Sequence, residues 1–122
     1  MPADAELAQF IRSTFRSVWT LELLLHLRRG DCAMSRSDLV AALRASEAVV
    51  TTAAAALFSA GLVLLEDEEM VRYAPAAADL DTLVEATALL YAQKPDAVRR
   101  LIVSAVGDPA AAFSDAFRLW RD

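Results

Sequence analysis

Two short runs of β-type residues, 62–65 and 70–73, stand on either side of an acidic stretch near the middle of the chain. The acidic residues are Glu66, Asp67, Glu68 and Glu69. Branched and aromatic residues around a polar tip predict a β-hairpin, and Pro75 ends its second strand because proline cannot donate to a ladder. The tip has no glycine or asparagine, so its turn type stays open. The rest of the chain is rich in alanine and leucine, which favour helix. The hairpin therefore predicts a mainly helical fold that also contains a small β element.

Two short helices are predicted just before the hairpin. Ser35-Arg36-Ser37-Asp38 matches a capping box and starts a helix that runs to Leu43. Ser46 is a suitable N-cap for the next helix, through Val49, Val50 and Leu57, which Gly61 ends in a left-handed conformation. The residues 32–34 ahead of the capping box predict a very short strand.

Longer helices are predicted on both sides of this region. One continuous helix is expected from near Asp4 to Arg28-Arg29, with Gly30 in the left-handed position after it. Beyond the hairpin, Asp79 or Asp81 is expected to cap a helix through Tyr91, Pro95 suits the first turn of another, and a last helix carries Phe113, Phe117 and Trp120. At 122 residues the chain fits one domain, with a core at about 10–75 and a C-terminal helical extension at about 79–122.

The order helix, short strand, helix, turn, helix, hairpin, helices resembles the winged helix-turn-helix modules of bacterial regulators such as the MarR, ArsR and PadR groups. The likeness covers roughly residues 10–75 and is carried by 35–43, 46–57 and the sequence Ala60-Gly61-Leu62-Val63. It implies a mainly α fold with a small β-hairpin wing and additional C-terminal helices. It also implies a homodimer formed by the terminal helices. The aromatic residues predicted for that dimer or partner surface are Phe10, Phe15, Trp19, Phe113, Phe117 and Trp120.

In such modules the third helix enters the major groove of DNA and the wing contacts the backbone or the minor groove. The predicted surface of the third helix is Glu47, Val50, Thr51 and Ala54, and the predicted wing surface is the acidic stretch with Arg72. Reading bases and holding phosphates both need cationic or amide side chains. Between Arg44 and Arg72 the sequence has no Arg or Lys, and residues 35–75 carry a net charge of −3 out of −5 for the whole chain.

This charge distribution favours a protein partner over duplex DNA. We expect a non-enzymatic winged-helix regulatory protein that acts in transcription control, or a related pathway, through protein–protein contacts. The alternative is a dimeric, sequence-specific DNA-binding regulator. A regulator that responds to a small molecule, or an enzyme, is a more distant alternative.

The remaining chemistry-bearing residues predict no catalytic, cofactor or metal site. His26 lies among leucines, Cys32 is a single thiol beside an acid, and the acidic stretch lacks the spacing of a calcium loop. No run approaches the roughly 20 apolar residues of a membrane span. The acidic N-terminus differs from the basic start of a signal peptide, so we expect a cytoplasmic protein without membrane contact.

Overall fold

A computed structural model describes residues 3–67 and 69–107. In this part of the chain the helices are α1 (Asp4–Thr14), α2 (Val18–Gly30), α3 (Arg36–Leu43), α4 (Glu47–Ser59), α5 (Ala78–Gln93) and α6 (Pro95–Gly107). The strands are β1 (Met34–Ser35), β2 (Val63–Glu66) and β3 (Met70–Tyr73). The mainly helical fold with a small hairpin is therefore confirmed. The last predicted helix, with Phe113, Phe117 and Trp120, lies outside the described residues.

The first predicted helix is in fact two helices, so the expectation of one continuous helix was wrong. Ser17 caps α2, because its hydroxyl accepts a hydrogen bond of 3.3 Å from the backbone N–H of Thr20. Phe15, in the break, is fully buried and meets Phe10 edge-on at 5.8 Å between ring centroids. The break lets α1 contact α5 and α6, while α2 contacts α4.

The predicted N-caps Ser35 and Ser46 are confirmed, but the described hydrogen bonds show only the serine half of the predicted capping box. The hydroxyls of Ser35 and Ser46 accept hydrogen bonds of 3.1 Å from the N–H groups of Asp38 and Val49. After α4, Gly61 adopts a φ of 78°. Its N–H and that of Leu62 bond back to the last turn of α4, as in a Schellman motif.

Two predicted helix ends need correction. Gly30 is the last residue of α2, and Asp31 takes the left-handed position with a φ of 50°. Helix α5 begins at Ala78 without a side-chain cap, so Asp79 and Asp81 lie in its first turn. There they still interact favourably with the positive end of the helix dipole.

The strands form one antiparallel sheet in the order β1-β3-β2. In the hairpin Leu64 pairs with Arg72 and Leu65 with Val71, while Met34 of β1 pairs with Val71 from the other side. The short strand thus lies at 34–35, slightly later than predicted. Pairing places Val71 in the middle of the sheet, where it is fully buried.

The core joins all the described helices to the sheet. It is formed by aliphatic and aromatic side chains that are nearly or fully inaccessible to water. Its largest fully buried members are Phe15, Ile11, Leu21, Leu23, Leu24, Leu27, Leu39, Leu57, Leu62, Ile102, Val50 and Val63. Because most of these belong to α2, α3, α4 and β2, the core fixes α3 and α4 against the hairpin.

Candidate functional site

Helices α3 and α4 are joined by a tight connection of residues 44–46 and bend by 111° relative to each other. Arg44 turns the chain with a left-handed φ of 54°, and its N–H bonds to the carbonyl of Val40. No single described helix is long and apolar enough to cross a bilayer, and only this bent pair taken together reaches that length and apolarity.

Helix α4 buries one face and exposes the other, and two predicted surface residues lie on the buried face. Val50 and Ala54 are each only 1% exposed, so their prediction as surface residues was wrong. They lie with Ala53 and Leu57 at positions i, i+3, i+4 and i+7, which is the stripe that an amphipathic helix turns to its core. Glu47 is exposed and Thr51 is half-buried.

The exposed side of α4, which we call the α4 face, consists of small and neutral residues with one large ring. Its members are Ala48, Thr52, Ala55, Phe58 and Ser59. Phe58 is 50% exposed. The prediction missed Phe58, although its position one residue after the core residue Leu57 places it about 100° away from the buried stripe. Glu47, at the start of the helix, adds a negative charge to the edge of this face.

The outer surface of the hairpin, like the α4 face, combines exposed apolar side chains with negative charge. Leu64 is 50% exposed and lies directly opposite Arg72. The Nε of Arg72 is 2.5 Å from Oε1 of Glu66, so this cation is already compensated by an acid. Asp67 and Glu69 are exposed at the tip, and Glu68 lies outside the described residues. The described hairpin residues, 63–67 and 69–73, therefore present acids and the exposed Leu64 and Leu65, with no uncompensated cation.

The hairpin is tied to the helices through Tyr73. Its hydroxyl donates a hydrogen bond of 2.6 Å to Oδ1 of Asp81 in α5, and Nε of Arg28 in α2 lies 3.7 Å from the same oxygen. Burial raises the pKa of the Tyr73 phenol, and the bond to Asp81 raises it further. Asp81 was predicted as a candidate cap of the following helix, and local spacing does not reveal its contact with Tyr73.

A second tyrosine connects α2, α5 and α6. The hydroxyl of Tyr91 donates to Oε1 of Glu22 at 2.5 Å, and Nη2 of Arg99 lies 3.5 Å from the same hydroxyl. The Arg99 guanidinium also stands over the Tyr91 ring, 5.6 Å from its centroid. Burial, followed by the bond to Glu22, raises the pKa of Tyr91. This contact spans 69 positions of the sequence and could not be predicted from local spacing.

The predicted dimer or partner surface is only partly exposed. Phe10 is 9% exposed and Phe15 is fully buried, so these two rings belong to the core of the chain and their assignment to a surface was wrong. They were misassigned because the break after Thr14 turns α1 onto its own chain. Trp19 is 42% exposed and remains accessible. Phe113, Phe117 and Trp120 lie outside the described residues.

His26 is half-buried on α2, and Cys32 is exposed at the turn that follows this helix. Across residues 3–67 and 69–107, no three His, Cys, Asp or Glu side chains come close enough together to hold a metal ion. Neither protein-family models nor curated proteins nor solved structures gave a match to this chain. The α4 face and the acidic wing are therefore interpreted from their own chemistry.

Proposed function

We propose that this chain is a non-enzymatic winged-helix regulatory protein that binds a protein partner through the α4 face and the acidic wing. The winged-helix assignment is supported by the element order from α2 to β3, by the strand order β1-β3-β2 and by the 111° bend of the α3–α4 pair. Helix-turn-helix pairs cross at about 90–120° around a turn of three or four residues.

The charge of this surface favours a protein partner over DNA, and it is the main support for the proposal. A helix that reads a major groove presents Arg, Lys, Asn or Gln to the base edges, and the flanking groups present cations to phosphates. The α4 face offers only alanines, hydroxyls and Phe58, and the wing tip is acidic. Against a duplex, the hairpin would bring its carboxylates toward phosphates and repel them.

The same features suit a protein surface that carries basic and apolar residues. Phe58 and Leu64 are each 50% exposed and supply the apolar contacts from which binding hot spots are built. The acids Asp67 and Glu69 lie close in sequence to Leu64 and would steer a basic partner and fix its orientation. We therefore expect association to weaken as salt screens these charges.

The test uses surface variants with a matched control. Phe58→Ser and Leu64→Ser remove the exposed apolar groups of the proposed surface, whereas Leu89→Ser removes an equally exposed group, also 50% accessible, from α5. A partner isolated with the wild-type chain should bind the first two variants about tenfold more weakly or worse. It should bind the Leu89 variant normally. Equal binding by all three variants would contradict the proposed surface.

Duplex DNA is the second candidate, because the α3–α4 geometry suits a major groove, Arg36 is the first residue of α3 and Arg44 lies in the turn. Titration of a pool of genomic duplex fragments over a salt series distinguishes the two functions. Each phosphate contact lowers the logarithm of affinity by about 0.9 per logarithm of salt. Specific retention with a steep salt slope that Arg44→Gln reduces would favour DNA. No retention at low salt is the result that the protein-partner proposal predicts.

We also propose that the protein acts as a cytoplasmic homodimer. The exposure of Trp19, at 42%, supports an additional apolar contact outside the α4 face. Light scattering after size exclusion should give the dimer mass for the wild-type chain. The Trp19→Ser variant should shift toward the monomer, and a monomeric wild-type chain would rule this arrangement out.

A further inference from the structure

A cleft of about 230 Å³ lies between α2 and α5, away from the α4 face and the wing tip. Its two helices are joined by polar contacts, Glu22 with Tyr91 and Arg28 with Asp81. The residues that line it are Leu25, Arg28, Arg29, Ala88, Tyr91 and Ala92. The cleft is thus a gap between two antiparallel helices that long side chains hold together.

The spacing of these residues explains why the gap exists. Each helix contributes positions i, i+3 and i+4, which together form a single face of about one turn. On α5 that face carries alanines at 88 and 92, whose short side chains leave space opposite α2. Leu25 is only 5% exposed and forms an apolar floor. The result is a cleft with an apolar wall and two guanidinium groups from one helix turn.

The two arginines differ in how far their charge is already compensated. Arg29 is exposed and forms no ion pair with any residue that the structure describes. Arg28 has its one described ionic contact with Asp81 at 3.7 Å, which is long for a charge-assisted hydrogen bond. The third polar group, the Tyr91 hydroxyl, is occupied by Glu22. The two guanidinium groups can therefore still bind an anion, whereas the described groups that line the cleft offer nothing to bind a cation.

We propose that this cleft binds a small organic monocarboxylate with a short apolar body. The carboxylate accepts hydrogen bonds from the guanidinium groups of Arg29 and Arg28, whose planar shape suits two-pronged contact with carboxylate. The apolar body lies against Leu25 and Ala88. A volume of about 230 Å³ equals roughly eight waters of liquid, which suits a ligand of about eight non-hydrogen atoms.

This inference is independent of what binds the α4 face, and it is tested with a defined probe. Hexanoate has a carboxylate and a short alkyl chain, and hexanamide is its neutral analogue of the same shape. Titration of each into the full chain, followed by amide chemical shifts in NMR, should give saturable binding of hexanoate on the order of 1 mM. Hexanamide should bind at least about tenfold more weakly, since it cannot form charge-assisted bonds.

Matched variants localise the binding. Arg29→Gln should weaken hexanoate binding about tenfold or more, while Arg12→Gln, which removes an exposed arginine from α1, should leave it unchanged. Ala88→Leu fills the cleft and should abolish binding; its effect on folding is followed separately by circular dichroism. Because Arg29 is exposed, its variant remains folded and keeps the test decisive.

Several results would overturn the proposal. These are the absence of saturable hexanoate binding up to about 20 mM, equal binding of hexanamide, and equal affinities of the Arg29 and Arg12 variants. Inorganic phosphate is a further probe. If phosphate binds as tightly as hexanoate, the apolar wall makes no contribution and the assignment to a monocarboxylate fails.

Discussion

The link between α4 and the hairpin depends on Gly61, and replacing this residue with alanine tests that part of the fold directly. Gly61 has a φ of 78°, a conformation that residues with a Cβ rarely adopt. Its N–H and that of Leu62 close the end of α4, and its carbonyl accepts from the N–H of Ala76 at 2.8 Å. The chain therefore cannot relax the backbone at Gly61 without losing hydrogen bonds on both sides.

The size of the effect follows from the surroundings of the missing Cβ. An added Cβ would lie 3.5 Å from Cβ of Ala76 and 3.8 Å from Cδ1 of Leu80, which are ordinary contact distances, so no steric clash contributes. The left-handed backbone costs an L-residue about 1.5 kcal/mol. Alanine also lowers the entropy of the unfolded chain, which offsets about 0.7 kcal/mol. We expect Gly61→Ala to lower the free energy of unfolding by about 1 kcal/mol.

Gly30→Ala is the matched control. Gly30 is the last residue of α2, and the nearest atom to an added Cβ is Sδ of Met34 at 3.9 Å. Alanine there should raise the free energy of unfolding by about 0.5 kcal/mol, since it favours helix and restricts the unfolded chain. Urea unfolding followed by circular dichroism measures both. Equal stability of the two variants would refute the left-handed conformation at Gly61.

Three further predictions concern α4 and the half-buried Tyr73 and Tyr91. Val50→Ala should lower the free energy of unfolding by about 2 kcal/mol, because the side chain is only 1% exposed. Thr52→Ala, on the α4 face, should change it by less than about 0.5 kcal/mol, and equal effects would contradict the orientation of the helix. Ser46→Ala should cost about 1 kcal/mol by removing the cap of α4, as urea unfolding would show. Burial and carboxylate contacts raise the pKa of Tyr73 and Tyr91 above the ordinary 10.0, so their stabilisation is complete below pH 10 and declines above it. A variant with both Tyr73→Phe and Tyr91→Phe should lose less stability above pH 10 than the wild-type chain. An unchanged pH profile of the free energy of unfolding would contradict the two contacts.

The parts of the fold that the sequence predicted correctly depend on neighbouring residues. The caps at Ser35 and Ser46, the end of α4 at Gly61 and the hairpin all follow from residue types within a few positions of each other. The break between α1 and α2 was missed, although Ser17 is a good N-cap. The apolar pattern continues across Phe15 and Val18, and hydrophobic periodicity alone does not distinguish a continuous helix from two helices with a buried corner.

The candidate surfaces were harder to predict, because exposure is a property of the packed chain. Val50 and Ala54 were predicted on the outer side of α4, and only the direction in which α2 packs shows that they face the core. Phe58 and Leu64 are apolar residues that the same packing leaves at the surface. The lack of cations on α4 does not depend on the orientation of the helix, because neither of its sides contains a basic residue.

The position of Arg28 predicts that a carboxylate bound in the cleft also affects the hairpin. Arg28 lines the cleft and also contacts Asp81, which accepts the hydrogen bond from Tyr73 of β3. A carboxylate bound in the cleft would compete with Asp81 for this guanidinium, so ligand binding and the Arg28–Asp81 contact oppose each other. Hexanoate should therefore shift the amide resonances of β3 as well as those of α5. In Arg28→Gln the shifts in β3 should disappear, while those near Arg29 persist with weaker binding. Shifts confined to α2 and α5 in the wild-type chain would show that the wing does not respond to the cleft.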